Sequence, residues 1–290
     1  MRRSNQTFKA FLIFISAAAT FVQSVQASGF GFQFGVGNHH PSEITRFSNQ
    51  EKGFTPKKIA GIALTSFIIG NIVSWSMGAW PRDFEEIPYT PSELETISEL
   101  QTEIAEEPEE GSLRAELGSI YFRHNELDKA ETELTEAVRL EPDNAESKAW
   151  FYANEVKQSG AMFDPLMGIR KLNRLNTGID ELNSAVDADP DNAIIRLIRL
   201  ETIASVGTVS SSFSVYQEDE DWFQSKLEHN ANYFPKNLAQ SFYLSLAKAY
   251  HAQEDTTRSK YYLEKIETLN ALTTQQKETY TAIRDAQQID

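Results

Sequence analysis

Residues 109–142, EEGSLRAELGSIYFRHNELDKAETELTEAVRLEP, compress two amphipathic helical patterns into one short stretch. Leu113, Leu117, Ile120 and Tyr121 recur at three- and four-residue steps. After a polar break, Leu127, Ala130, Leu134, Ala137 and Val138 do the same. At about 3.6 residues per turn each set shares one face, so each helix has one stripe to bury. Gly118 and Ala130 are small where two antiparallel helices approach closely. Pro108 and Pro142 punctuate the unit at either end, because proline cannot continue a helix. A hairpin this short cannot bury its own apolar faces, so the chain needs further units stacked against it.

Neighbours are present. In TGIDELNSAVDADPDN, Gly178, Leu182, Ala185 and Pro190 take the places of Ala130, Leu134, Ala137 and Pro142. The interval from Pro142 to Pro190 is longer than that from Pro108 to Pro142, so an insertion falls around VKQSGAMFDPLMGIRK. AESKAWFYANEVKQ is then the first helix of a second unit, and NAIIRLIRLETIASV opens a third. GTVSSSFSVYQEDED reads as a Ser-rich interruption, with EDED at 218–221 a solvated turn, before DWFQSKLEHNANYF resumes a helix. Tyr243, Leu246, Ala247, Tyr250, Ser259, Leu263 and Ile266 mark a fourth unit. TTQQKETYTAIRDAQQ reads as a terminal helix opened by a Thr273–Gln276 capping box. Upstream, Ser92 and Glu95 are expected to box a helix whose Leu94, Ile97, Leu100 and Ile104 line one face.

Leu117-Gly118, Tyr121, Ala130, Ala137 and Pro142 fall at the signature spacing of the tetratricopeptide repeat (TPR), and the segment resembles that family. Arg114 stands where Trp is typical and Leu134 where Phe is typical. The resemblance covers roughly residues 92–288, strongly at 109–142. It implies an all-α fold, a TPR-like helical-hairpin solenoid of about four irregular repeats over 92–290. It also implies a concave surface that holds a peptide or another protein. The chaperone-tail clamp of some relatives uses Lys and Asn on the first helix; Ala115 and Ser119 stand there, so that clamp is not carried over.

The N-terminal third has another character. Arg2, Arg3 and Lys9 precede an apolar run from Ala10 to Val22, and Val25 and Ala27 suit a cut after Ala27. These are the parts of a signal peptide over 1–27. Residues 28–57 form a Gly/Phe-rich linker whose glycines miss the dinucleotide fingerprint because residue 34 is Phe. Residues 58–80 read as a transmembrane or membrane-docking helix, since the stretch from Ile59 to Trp80 carries no charge and is long enough to cross a bilayer. Within it, Ser66, Gly70, Ser74 and Gly78 form a small-residue stripe suited to helix packing. Residues 81–91 are a linker. The flanking charges conflict. A cleaved signal before a span leaves the repeats in the cytoplasm, whereas Lys57 and Lys58 ahead of Asp83, Glu85 and Glu86 favour export of the repeats. The expectation is a bacterial cell-envelope protein, associated with the inner membrane, with exported repeats; the cytoplasm-facing arrangement is the alternative.

A net charge of −15 argues against nucleic acid, which needs a basic face. The absence of cysteine removes disulfides, thiolate metal sites and cysteine nucleophiles. His39, His40, His124, His229 and His251 show no metal-binding spacing, and there is no nucleophile elbow or P-loop. No enzyme, cofactor or metal is expected. DADPDN at 187–192 imitates a calcium loop but has Asn192 in place of Gly and lacks the closing Glu, so it reads as a turn. Arg170, Lys171 and Arg174 form a basic patch, and Arg196 and Arg199 lie three apart on a largely apolar helix. Two readings follow: internal pairing with Asp180, Glu181 or Glu201, or a site for an acidic peptide or C-terminal carboxylate. Tyr233, Phe234, Phe242, Tyr243, Tyr250, Tyr261 and Tyr262 read as core between repeats. The function expected is a non-enzymatic protein–protein interaction scaffold or assembly factor. A chaperone-like accessory handling unfolded exported clients is the alternative.

Overall fold

The computed structural model describes residues 58, 61–62, 64–65, 68–69, 81–162, 169–269 and 272–288. The expected signal peptide, the Gly/Phe-rich linker and the stripe of Ser66, Gly70, Ser74 and Gly78 lie outside these residues. The chain divides into Met1–Thr65 and Ser66–Asp290. In the first unit Lys58, Gly61, Ile62, Leu64 and Thr65 are helical, and the Thr65 hydroxyl donates to the Gly61 carbonyl at 2.9 Å. Most of the expected span at 58–80 lies outside the described residues; among those described, no helix is long and apolar enough to cross a membrane.

From residue 81 the described chain is ten α-helices without a strand. They are α1 (Pro91–Glu106), α2 (Gly111–Arg123), α3 (Leu127–Leu140), α4 (Ala145–Ala161), α5 (Ile169–Ala188), α6 (Ala193–Val206), α7 (Tyr216–His229), α8 (Lys236–Ala252), α9 (Thr256–Leu269) and α10 (Thr274–Gln288). Two 3-10 turns, Gly207–Val209 and Phe213–Val215, join α6 to α7. Helices α2 with α3, α4 with α5, and α8 with α9 pair as hairpins, and α6 with α7 form a looser pair. The first helices α2, α4, α6 and α8 lie side by side in one row. Helix α10 covers α8 and α9, as a terminal cap does.

The hairpins close where the sequence places small residues. A Cβ on Gly118 would lie 2.6 Å from Leu134 Cγ, and one on Gly178 2.5 Å from Val156 Cγ2. Ala130, Leu134 and Ala137 are fully buried, as is Leu182; Ala185 and Ile179 are nearly so. In the fourth unit Leu246, Ala247, Tyr250, Ser259, Leu263 and Ile266 are all buried. The second unit absorbs its insertion partly by lengthening: α4 and α5 have 17 and 20 residues, against 13 and 14 in α2 and α3. Asn144 and Asn192 cap α4 and α6, each side-chain oxygen accepting two backbone N–H groups, so 187–192 closes α5 and leads into the cap. Thr273 and Gln276 box α10 as the sequence indicates.

Four expectations are corrected. The box on α1 is Thr90 with Glu93 rather than Ser92 with Glu95, because Pro91 fits the first helical position and starts the helix there. Ile97 and Leu100 are buried but Leu94 is 54% exposed, so the stripe of α1 begins one turn later. EDED at 218–221 belongs to α7, which starts at Tyr216, and Asp219 is fully buried. Among the aromatics, Phe234, Phe242, Tyr250 and Tyr262 are core, but Tyr233 and Tyr261 are about half exposed.

Candidate functional site

Each first helix brings one charged side chain into a shared electrostatic neighbourhood: Arg123 from α2, Lys157 from α4, Glu201 from α6 and Lys248 from α8. Their stems are held. Arg123 donates from Nε to the Ser119 carbonyl at 3.2 Å and from Nη2 to Ser119 Oγ at 2.8 Å, with its guanidinium 5.4 Å from the Trp150 ring. Lys157 Nζ donates to the Phe122 carbonyl at 3.1 Å and lies 4.4 Å from the Phe122 ring. Lys248 Nζ donates to Ser205 Oγ at 2.9 Å. Glu201 alone has no side-chain hydrogen bond or close ion pair among the described residues.

All four groups are pushed toward neutrality, and burial is the first cause in every case. It lowers Lys157 to about 8 and also lowers Arg123 and Lys248. It raises the Glu201 carboxyl to about 7, although Arg123, Lys248 and Lys157 all pull the other way. By contact with water Arg123 is exposed and the other three are only half-buried. Both facts hold when a side chain touches solvent inside a recess: protein crowds it at longer range and thins its hydration. The water that remains screens these charges and softens each shift without reversing it.

Residues 81–90 form a second feature of the same region. They run as an extended strap across the C-terminal ends of α2, α4 and α6. The Arg82 N–H donates to the Gly160 carbonyl at 3.0 Å, and Arg82 Nη1 to the Ser205 carbonyl at 3.3 Å. Further along, the Ile87 N–H donates to the His124 carbonyl at 3.0 Å, and the His124 Nδ1 lies 2.8 Å from the Ile87 carbonyl. Asn125, in the left-handed region at φ 64°, donates its side-chain amide to the Glu85 carbonyl at 2.6 Å. Tyr89 stacks on His124 with ring centroids 4.0 Å apart and donates its hydroxyl to Glu126.

The basic residues singled out in the sequence are placed differently. Arg174 pairs with Glu155 of α4 and reaches Gln158 at 2.5 Å. Lys171 is buried, with Nζ 3.1 Å from the Gly160 carbonyl. Arg170 is exposed and lines a cleft of about 520 Å³ with Met162, Asn173 and Arg174. That cleft is an open one whose Arg174 is already held by Glu155, so it is a weaker site than the charged row. Arg196 and Arg199 do not reach outward: both donate to Asp219, and Arg199 is 3% exposed. The internal pairing is the arrangement found, but its carboxylate is Asp219 rather than Asp180, Glu181 or Glu201. The charged row was missed by sequence reasoning, although Arg123 and Lys157 stand one repeat period apart. Among the described residues, no group of three acidic or histidine side chains could hold a metal ion.

Residues 112–144 match the family model of the tetratricopeptide repeat. The chain carries a TPR. The match covers α2 and α3 and ends on Asn144, the cap of α4, so the packed pair Gly118–Leu134 is an internal contact of the TPR. Arg123 closes the first helix of the TPR, and His124 and Asn125 in its turn receive the strap. TPRs are in general non-catalytic interaction modules. No curated protein matches the chain.

Proposed function

We propose that this protein is a non-enzymatic interaction scaffold or assembly factor that holds an acidic, extended segment of a partner protein on the face of its first helices. The observation that carries this reading is that Arg123, Lys157 and Lys248, held on three different helix pairs, all act electrostatically on the Glu201 carboxylate while none of them forms an ion pair with it. An acidic segment would restore the charge balance that burial denies these cations, and a TPR supplies the general habit of binding protein. The sequence of the N-terminal third supports a place for this activity in a bacterial cell envelope, at the inner membrane, with the repeats exported.

The test is a titration of the full chain with labelled decapeptides rich in Glu or in Lys. The Glu-rich peptide binds, weakens with added salt, and is lost in Arg123→Glu/Lys157→Glu, while Arg170→Glu leaves binding intact. Equal binding of both peptides, unchanged by the charge reversals, would sink the charge-led reading and favour a handler of unfolded clients. Protease access to a C-terminal tag in spheroplasts tests the location; protection until lysis would turn the repeats toward the cytoplasm.

A further inference from the structure

The strap touches the ends of first helices from three successive units, and it runs opposite to their order. Arg82 lies at α6 and α4, Phe84 at α4, and Ile87 and Tyr89 at α2. The contact is built like recognition of an extended peptide. Its main-chain bonds end on the His124 and Gly160 carbonyls at the C-terminal ends of α2 and α4, the second of which also accepts from Lys171 Nζ at 3.1 Å. The exchange between Ile87 and His124 uses the backbone in one direction and the imidazole in the other. Phe84, Ile87 and Tyr89 turn inward while Asp83, Glu85 and Glu86 stay exposed, so side-chain spacing rather than acidity seats the segment. The Phe84 ring lies over the last turn of α4, where a Cβ on Gly160 would meet it in ordinary van der Waals contact at 3.5 Å.

The seat is also shallow. Phe84, Ile87 and Tyr89 are only half-buried, whereas the anchors between helices, such as Leu134, Ile195 and Leu246, are fully buried. Elements with few buried apolar contacts open at a small fraction of the global unfolding free energy. We propose that the ledge along the C-terminal ends of α2, α4 and α6 is a docking surface for an extended protein segment carrying aromatic, aliphatic and aromatic side chains at the spacing of Phe84, Ile87 and Tyr89, and that residues 81–90 are its resident, exchangeable occupant. A partner with that spacing displaces the strap. This surface is read by shape and main-chain bonding, and it borders the charged row at Phe84, whose ring lies 5.4 Å from Lys157 Nζ.

The probe is a labelled peptide of sequence PRDFEEIPYT, titrated into the full chain and into the full-chain variant Phe84→Ala/Tyr89→Ala, whose own strap is weakened. The variant binds the peptide about tenfold more tightly than the wild type, because a resident competitor lowers apparent affinity by the fraction of ledge left open. A peptide with both aromatics replaced by alanine does not bind, while one with its three acids replaced by amides binds as well as the parent. Equal affinity of variant and wild type, or binding to neither, overturns the proposal. Loss of the variant's helical circular dichroism also overturns it, since the strap would then belong to the folding unit. Loss of binding by the amide peptide overturns it as well and returns the region to charge-led recognition.

Discussion

Arg199 and Asp219 form a doubly bonded ion pair in the interior: Nε donates to Oδ2 at 3.0 Å and Nη2 to Oδ1 at 2.7 Å, with Asp219 fully buried. Arg196 adds a bond to the same carboxylate at 3.0 Å, and Arg199 Nη1 reaches Asn183 at 3.1 Å. The cluster ties α5, α6 and α7 together at the point where the helix pairs are most irregular. Burial raises the Asp219 carboxyl and the two arginines oppose that rise. Asp219→Ala leaves the buried Arg199 with only the exposed Glu218 carboxylate, 3.6 Å away, and costs about 3–5 kcal/mol in urea unfolding. Replacing the pair together, as Arg199→Met/Asp219→Leu, costs much less. Similar losses in the single and double variants would show that the pair's geometry, and not an unpaired charge, sets the cost.

The two hairpin glycines differ in what surrounds them. A Cβ on Gly178 meets the stiff Val156 side chain at 2.5 Å and the Tyr152 carbonyl oxygen at 3.2 Å, whereas on Gly118 it meets the side chain of Leu134. Alanine at either site regains about 1 kcal/mol of helix propensity but must push the partner helix away. Gly178→Ala is therefore the more damaging, with a net loss of about 1–3 kcal/mol. Thermal melts of the two variants side by side decide it; a larger loss at Gly118 would mean that Val156 has more room to move than its packing indicates.

Stability depends on pH through Glu201. Its folded-state carboxyl is raised from 4.5 to about 7, so its contribution is present below the unfolded value and is lost as pH rises from 4.5 through about 7. Lys157 has the opposite sign of slope. Its folded value is lowered from 10.5 to about 8, so the cost of its buried charge is full below about 8 and disappears as pH rises toward 10.5. The groups facing Glu201 are Arg123, Lys157 and Lys248. Melting temperature measured against pH shows Glu201→Gln flattening the acidic limb and Lys157→Met flattening the basic one. An acidic limb that survives Glu201→Gln belongs to another group. Glu201→Gln also strengthens binding of a Glu-rich peptide above pH 7, where the native carboxylate repels it.

Thr90 joins the strap to the first helix. Its hydroxyl accepts the Glu93 N–H at 3.3 Å, and Glu93 accepts the Thr90 N–H at 2.7 Å. Thr90→Ala removes half of this box and costs about 1 kcal/mol. Hydrogen exchange should report it as faster exchange in the first turn of α1 with α8 and α9 unchanged; a uniform change along the chain would refute a local cap.

The hairpins were legible because periodicity and small residues are local signals. Gly118, Gly178, Pro142 and Pro190 announce where helices touch and where they stop. Asp219 was hidden because a run of four acids resembles a solvated turn; only Arg196 and Arg199, set on another helix, draw it inward. The strap was hidden because 81–90 has no regular spacing, and its partners His124, Gly160 and Ser205 are distant in sequence. Arg123 and Lys157 repeat with the TPR, but Glu201 and Lys248 join them only once irregular units are stacked. Local pattern thus revealed what builds the row, and long-range packing decides what the row displays.

The direction of the strap has a mechanical consequence. Tension entering the chain through residue 81 meets Arg82 first, then Phe84, then Ile87, so the contacts load one after another as in a zipper rather than together as in shear. Arg82 and Ile87 each give up two hydrogen bonds on helix ends and Phe84 only its packing, far below what separating α2 from α3 across Gly118 and Leu134 would demand. A pull on the N-terminal side of this protein would therefore bare the ledge from the α6 end toward the TPR while every helix stays folded.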